Sequence, residues 1–136
     1  MMRVILDEDH ASFRQAIAFI LDREAGIEVV AQAGTLEEAR RLLTEQDVDV
    51  AVVDFNLPDG SGPKFVEHLR HLNPRGVALI LTASIDPETH VLALKAGATE
   101  VLHKSEAVTG IVEALGRLTS PARQVKRPMV SEGRHG

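Results

Sequence analysis

Asp49-Val50-Ala51-Val52-Val53-Asp54-Phe55-Asn56-Leu57-Pro58-Asp59-Gly60-Ser61-Gly62 is the stretch that decides the fold. Val48–Val53 is apolar at nearly every position. A strand of that kind is covered on both faces, as strands are when helices flank a parallel sheet. Asn56–Gly62 is a loop dense in Pro and Gly. Pro63 has the fixed φ of a first helical residue and opens a helix with Phe65, Val66, Leu69 and Leu72 inward.

The same alternation continues on both sides. Upstream, Arg3–Leu6 is a short apolar run ending in acids, the pattern of a buried strand. From His10 the period changes: Phe13, Ile17, Ile20 and Leu21 share a helical face that Gly26 ends. Ile27–Ala33 is a second strand. Thr35 is the N-cap of a helix carrying Leu36, Ala39, Leu42 and Leu43, with Glu38 in the capping-box position. Downstream, Val77–Leu81 is a fourth strand, and a helix over 87–96 is stopped by Gly97. Val101–Leu102 lies in a short fifth strand. A last helix over 106–118 has Val108, Ile111, Val112, Leu115 and Leu118 at helical spacing.

Five strands alternating with five helices, on short connections, predict an α/β fold: one doubly wound parallel sheet with helices on both faces. Such sheets bind ligands beyond the carboxyl ends of their strands. Those positions hold Asp7, Glu8 and Asp9, then Asp54, then Thr82 and Ser84, and finally Lys104. Carboxylates gathered on one rim repel and call for a cation, and an all-oxygen donor set suits Mg²⁺. A carboxylate beside Mg²⁺, a hydroxyl and an ammonium forms a phosphoryl-transfer site. Asp54 is then the nucleophile. Glu8 and Asp9 hold the metal, Thr82 donates to a phosphoryl oxygen, and Lys104 pairs with the phosphoryl group or with Asp54.

Composition narrows the function classes. The 136 residues have room for one domain, with 44% hydrophobic content but only 3% aromatic, so the core is aliphatic. The absence of cysteine removes disulfides, thiolate metal sites and a Cys nucleophile. No apolar run reaches the ~20 residues of a membrane span, and no signal-peptide pattern opens the chain. A soluble cytoplasmic protein is the expectation. Residues 1–116 carry 10 Lys/Arg against 19 Asp/Glu, a net of −9, which repels a nucleic-acid backbone. Residues 117–136 carry five basic residues against Glu132, a net of +4.

At this point the chain resembles a known family. Val4-Ile5-Leu6-Asp7-Glu8-Asp9-His10 resembles the acidic-pair opening of response-regulator receiver domains of two-component signalling. The Asp49–Gly62 stretch resembles their phosphoacceptor strand and loop. Leu81-Thr82-Ala83 matches the switch-threonine strand, and Ala96-Gly97-Ala98 with His103-Lys104-Ser105 the invariant-lysine region. Four motifs in the right order over about residues 3–118 make the resemblance specific. It implies a flavodoxin-like strand order 2-1-3-4-5. It also implies metal ligation by Glu8, Asp9, Asp54 and the backbone carbonyl of Asn56, and a phosphohistidine donor on a sensor histidine kinase or phosphotransfer protein. His10, Phe13-Arg14, Leu57-Pro58-Asp59-Gly60 and Lys104-Ser105 are similar to receivers whose regulators carry a helix-turn-helix DNA-binding output. The resemblance leaves room for a homodimer, and implies a phosphoacceptor rather than an enzyme with a separate substrate.

Three positions depart from the pattern. Glu8 stands where Asp is commoner, and Asp7 where an apolar residue is usual. Val101 stands where many receivers carry the Tyr or Phe that swings inward with the threonine. Three rival readings follow. A haloacid-dehalogenase-type phosphatase would use Asp7 as nucleophile, but Ala11 breaks its motif. A pseudo-receiver would act through protein contacts without phosphate. A flavin binder would lack aromatic residues to stack.

Each feature also has a plain structural explanation. An acidic run such as Asp7–Asp9 is usually a solvated helix N-terminus, and a lone Asp after a strand is often a turn former. Ser84 is a helix cap, His68 and His71 a solvated face, and His10 and His103 incidental. Gly60 and Gly62 serve loop geometry. The domain is expected to span 1–118. Residues 119–136 are expected to form a flexible basic tail, or a linker to an output domain beyond this chain.

Overall fold

The structure, a computed structural model, describes residues 1–118. The expected tail or linker over 119–136 lies outside the described residues. Strand β1 (Met2–Asp7) leads to helix α1 (Ala11–Asp22), β2 (Ile27–Ala33) to α2 (Leu36–Glu45), and β3 (Val50–Asp54) to α3 (Gly62–Leu72). Then β4 (Val77–Thr82) precedes α4 (Pro87–Lys95), and β5 (Glu100–His103) passes through a 3-10 turn, Lys104–Glu106, into α5 (Ala107–Leu118). The sheet order is β2-β1-β3-β4-β5, parallel throughout, as expected. No helix among the described residues is long and apolar enough to cross a membrane.

Alternation along the central strands builds two cores, one on each sheet face. Ile5, Ala51, Val53 and Ile80 pack with Phe65, Val66 and Leu69 beneath α2, α3 and α4. Leu6, Val50, Val52, Leu79 and Leu81 pack with Ile17, Leu21, Ile111 and Leu115 beneath α1 and α5. All five residues of β3 are buried, which is why its sequence shows no polar alternation.

Several boundaries differ from the sequence reading, each for a local reason. Helix α1 ends at Asp22, where the Arg23 N–H bonds back to the Ile20 carbonyl and the Glu24 N–H to the Leu21 carbonyl, and Gly26 (φ +84°) instead forms the turn into β2. The 56–62 loop contains a small antiparallel hairpin pairing Asn56–Leu57 with Gly60–Ser61. Leu72, expected inward, is exposed on the last residue of α3, past the buried turn at Leu69. Val108 is exposed because the fully buried Ala107 sets the phase of the α5 stripe, which continues through Ile111, Ala114 and Leu115. The α4 cap is Asp86, which accepts from Glu88 N, whereas Ser84 Oγ accepts from Asp86 N one step earlier. Thr35 does cap α2, accepting from Glu38 N, but Glu38 returns its bond to Gly34 N rather than to Thr35.

Candidate functional site

Three neighbouring strands and one turn bring the acids and the lysine to one rim. Register pairing puts Asp7 beside Val53 and Asp54 beside Leu81, so the ends of β1, β3 and β4 are level. Lys104, on the turn after β5, reaches inward between the acids. Its Nζ lies 2.8 Å from Asp54 Oδ2 and 3.0 Å from Glu8 Oε1. Asp54 is 5% exposed and Glu8 3%. One ammonium thus serves two buried carboxylates, and the group retains an excess negative charge.

The electrostatics follow from that shortage of positive charge. Burial pushes the Asp54 carboxyl above its usual range and the Glu8 charge adds to this, outweighing the Lys104 ammonium and the Asn56 N–H. Burial acts the same way on Glu8. There the His10 backbone N–H, Lys104 and the His10 ring overcome it and hold the carboxyl below its usual range. Burial would lower Lys104, but its bonds to Asp54 and Glu8 win and raise it. The lysine is firmly an ammonium ion.

The other expected residues surround this pair. Glu8, Asp9 and His10 offer oxygen and nitrogen atoms that all lie within 4.8 Å of one another. Asp9 is the exposed acid of the group, its Oδ1 3.6 Å from His10 Nδ1. Asn56 N donates to Asp54 Oδ1 at 3.4 Å, which ties the loop to the acid. Thr82 is buried, and its Oγ1 accepts from Ser84 N at 3.0 Å, so its own proton is available to another acceptor.

The family model of the response regulator receiver domain matches residues 4–116. The chain belongs to that family. The receiver domain is 32% identical over 130 residues to a protein-glutamate methylesterase/protein-glutamine glutaminase of Caulobacter vibrioides, covering 95% of this chain and 38% of that protein. It is 34% identical over 99 residues to the DNA-binding transcriptional activator DevR/DosR of Mycobacterium tuberculosis, covering 73% and 46%. The chain therefore spans less than half the length of either relative. A crystal structure of a Burkholderia pseudomallei response regulator, with a phosphorylated aspartic acid, calcium ion and citrate, superposes with a TM-score of 0.77 at 28% identity. That match covers 98% of this chain and 75% of the other.

Five residues of the receiver domain take part in ways the sequence did not signal. Asp7 is 0% exposed, with neither carboxylate oxygen hydrogen-bonded among the described residues, so it is no solvated terminus. Its carboxyl is pushed up to about 8 by burial first, then by the charges of Asp59, Glu38, Asp54 and Glu8. Arg14 Nη1 donates to Glu8 O at 2.6 Å and holds the backbone of the acidic run. His10 is not incidental, since both its backbone N and its Nδ1 lie 3.0 Å from Glu8 Oε2. His103 is not incidental either; its ring lies 3.1 Å from Ala83 O on the Thr82 loop. The Phe13 ring, 5.4 Å from Lys104 Nζ, adds a cation–π contact. Elsewhere, His68 is partly buried with Nε2 unpartnered among the described residues. The expected solvated face therefore holds for His71 alone.

Proposed function

We propose that this receiver domain accepts a phosphoryl group on Asp54 from a phosphohistidine, with Mg²⁺, and relays the change through Thr82 to α4. The observation that carries the reading is the single Lys104 ammonium shared by Asp54 and Glu8. Two buried carboxylates and one ammonium, with Asp9 at the rim, leave a deficit of positive charge in an oxygen-rich site. That donor set fits a hard divalent cation. Glu8, Asp9, Asp54 and the Asn56 carbonyl are the residues that would hold it. When bound, Mg²⁺ supplies charge neutralisation for the equatorial phosphoryl oxygens.

The chain's own groups account for the rest. An Asp54 carboxylate oxygen attacks phosphorus, the P–N bond to the donor imidazole breaks, and the imidazole takes that electron pair. Lys104 moves its contact from the carboxylate to a phosphoryl oxygen. The Thr82 proton, not committed to its Ser84 partner, is donated to another phosphoryl oxygen. Hydrolysis of the acyl phosphate returns the carboxylate, so the domain assists its own modification and turns over no separate substrate. The phosphorylated aspartic acid of the Burkholderia relative supports this chemistry. For the whole protein, the DevR/DosR likeness favours a transcriptional output beyond this chain, whereas the methylesterase likeness would fit an enzymatic one. The reading implies a histidine kinase or phosphotransfer partner and a cytoplasmic location. The acidic receiver body does not itself bind nucleic acid.

The test is incubation with acetyl phosphate and Mg²⁺, followed by intact mass and peptide mapping. One Mg²⁺-dependent phosphoryl group on Asp54, absent from a folded Asp54→Asn variant, is the expected result. A label on Asp7 would favour the phosphatase reading, which its complete burial disfavours. No label would favour the pseudo-receiver, to which Val101 lends weight.

A further inference from the structure

His103 makes more bonds than a residue beside the site requires. It is the register partner of Thr82 on the last rung between β4 and β5. Its Nδ1 accepts from Ser105 N at 3.1 Å, and Ser105 Oγ lies 2.8 Å from the same atom. That leaves Nε2 as the protonated nitrogen, 3.1 Å from the Ala83 carbonyl, to which it donates. The first bond alone caps the 3-10 turn that carries Lys104, and Asn or Asp supplies such a cap equally well. The second bond serves no capping purpose. It crosses to the neighbouring strand and grips the backbone of the residue that follows Thr82.

Beyond that grip the bonds continue into α4. Thr82 Oγ1 accepts from Ser84 N, and Ser84 Oγ accepts from Asp86 N and from Thr89 Oγ1, the latter at 3.3 Å on the first turn of α4. Val101, two residues before His103, is a partly buried aliphatic side chain packed in the core beneath α3 and α4. It has no ring and no polar atom with which to register the position of Thr82. His103 has both.

We propose that His103 is the positioning residue that ties the Thr82 loop to the Lys104 turn, so that the state of Asp54 reaches α4 through hydrogen bonds rather than through an aromatic at Val101. The inference rests on the phosphoacceptor reading. Lys104 follows the phosphoryl group and Thr82 turns toward it. His103 bonds the turn of one to the loop of the other, and so obliges the two to move together. Ser84 and Thr89 transmit the displacement.

The experiment uses the full chain with Mg²⁺ and BeF3⁻, read by amide and ring-nitrogen NMR, with Asp54 labelling by acetyl phosphate measured in parallel. In the wild type, the His103 ring is the Nε2-protonated tautomer and its resonances shift with those of Ser84 and Thr89 on addition of BeF3⁻. His103→Asn keeps the cap but does not span to Ala83; it labels normally on Asp54 and loses the Thr89 shift. His103→Gln, long enough to donate an amide N–H to Ala83 O, retains it. A Thr89 shift in His103→Asn equal to that of the wild type overturns the proposal, as do wild-type ring resonances unmoved by BeF3⁻. A wild type that takes no label on Asp54 overturns the phosphoacceptor reading itself, and this inference with it.

Discussion

Lys104 and Asp54, fifty positions apart in the chain, meet at 2.8 Å on the rim of the sheet. The contact exists because β3 and β5 flank β4 in register, which sets a turn residue opposite a strand-end acid. The same ammonium touches Glu8, so it does the work of a cation for two carboxylates at once.

Removing that ammonium leaves two buried acids without a counter-charge. Lys104→Met should lower stability by about 1–3 kcal/mol in metal-free buffer, less than for a fully buried pair because the lysine is partly solvated. Mg²⁺ should restore more stability to the variant than to the wild type, since binding stabilises in proportion to ln(1 + [L]/Kd). Urea unfolding with EDTA and then with Mg²⁺ measures both effects. Equal gains from Mg²⁺ in the two proteins would contradict the picture of Lys104 as a resident counter-ion.

Asp59 does for α2 what a cap normally does from within the helix. Its Oδ1 accepts from Leu36 N at 2.7 Å and its Oδ2 from Glu37 N at 3.0 Å. Those bonds hold its carboxyl below the usual range. A depressed folded value means the stabilisation is present above the ordinary carboxyl range and lost as pH falls through the folded value. Protection of the Leu36 and Glu37 amides against hydrogen exchange, taken relative to the intrinsic rate at each pH, should therefore fall in Asp59→Ala, and in the wild type as the medium is acidified below that range. Unchanged protection in the variant would show that Thr35 alone caps the helix.

What could be read from the sequence was whatever is written in one segment. The apolar run of β3 and the helical spacing of Phe65, Val66 and Leu69 needed no partner to be seen. The rim acids followed from the alternation, because strand ends in such a sheet converge. The Asp59 cap was not legible, since donor and acceptor lie on different loops. Nor was Arg70, whose guanidinium binds the Gly97 carbonyl and Thr99 Oγ1 and clasps α3 to the loop before β5. A surface-type residue in a helical pattern gives no sign of such a clasp. His103 was missed for the same reason, as its partner Ala83 contributes only a carbonyl.

Gly62 sits where the loop after β3 turns into α3. A Cβ there would lie 2.5 Å from the Asp54 carbonyl oxygen and 3.1 Å from Val53 Cγ1. The obstacle at Asp54 is backbone, so the strand end itself would have to shift. Gly62→Ala should cost about 1–3 kcal/mol, as overpacking does. It should also slow Asp54 labelling by acetyl phosphate, because the acid moves relative to Lys104. A variant of wild-type stability and labelling rate would show that the loop yields without disturbing the acid.

Asp7 gives the domain a pH dependence of unusual sign. In the unfolded chain its carboxyl ionises near 3.8; in the folded chain it holds its proton up to about 8. Between those values the folded state binds one more proton than the unfolded state, so this group makes stability fall as pH rises, and the loss is complete above the folded value. Asp7→Asn has no proton to lose and keeps a neutral side chain of the same shape. The stability difference, variant minus wild type, should be small near pH 4 and grow to about 2–5 kcal/mol near pH 8. Urea unfolding of both proteins across that range, in EDTA, cancels the contributions of the groups they share. Two pH curves that run parallel would mean that the buried Asp7 carboxyl finds a compensating charge and titrates as an ordinary acid.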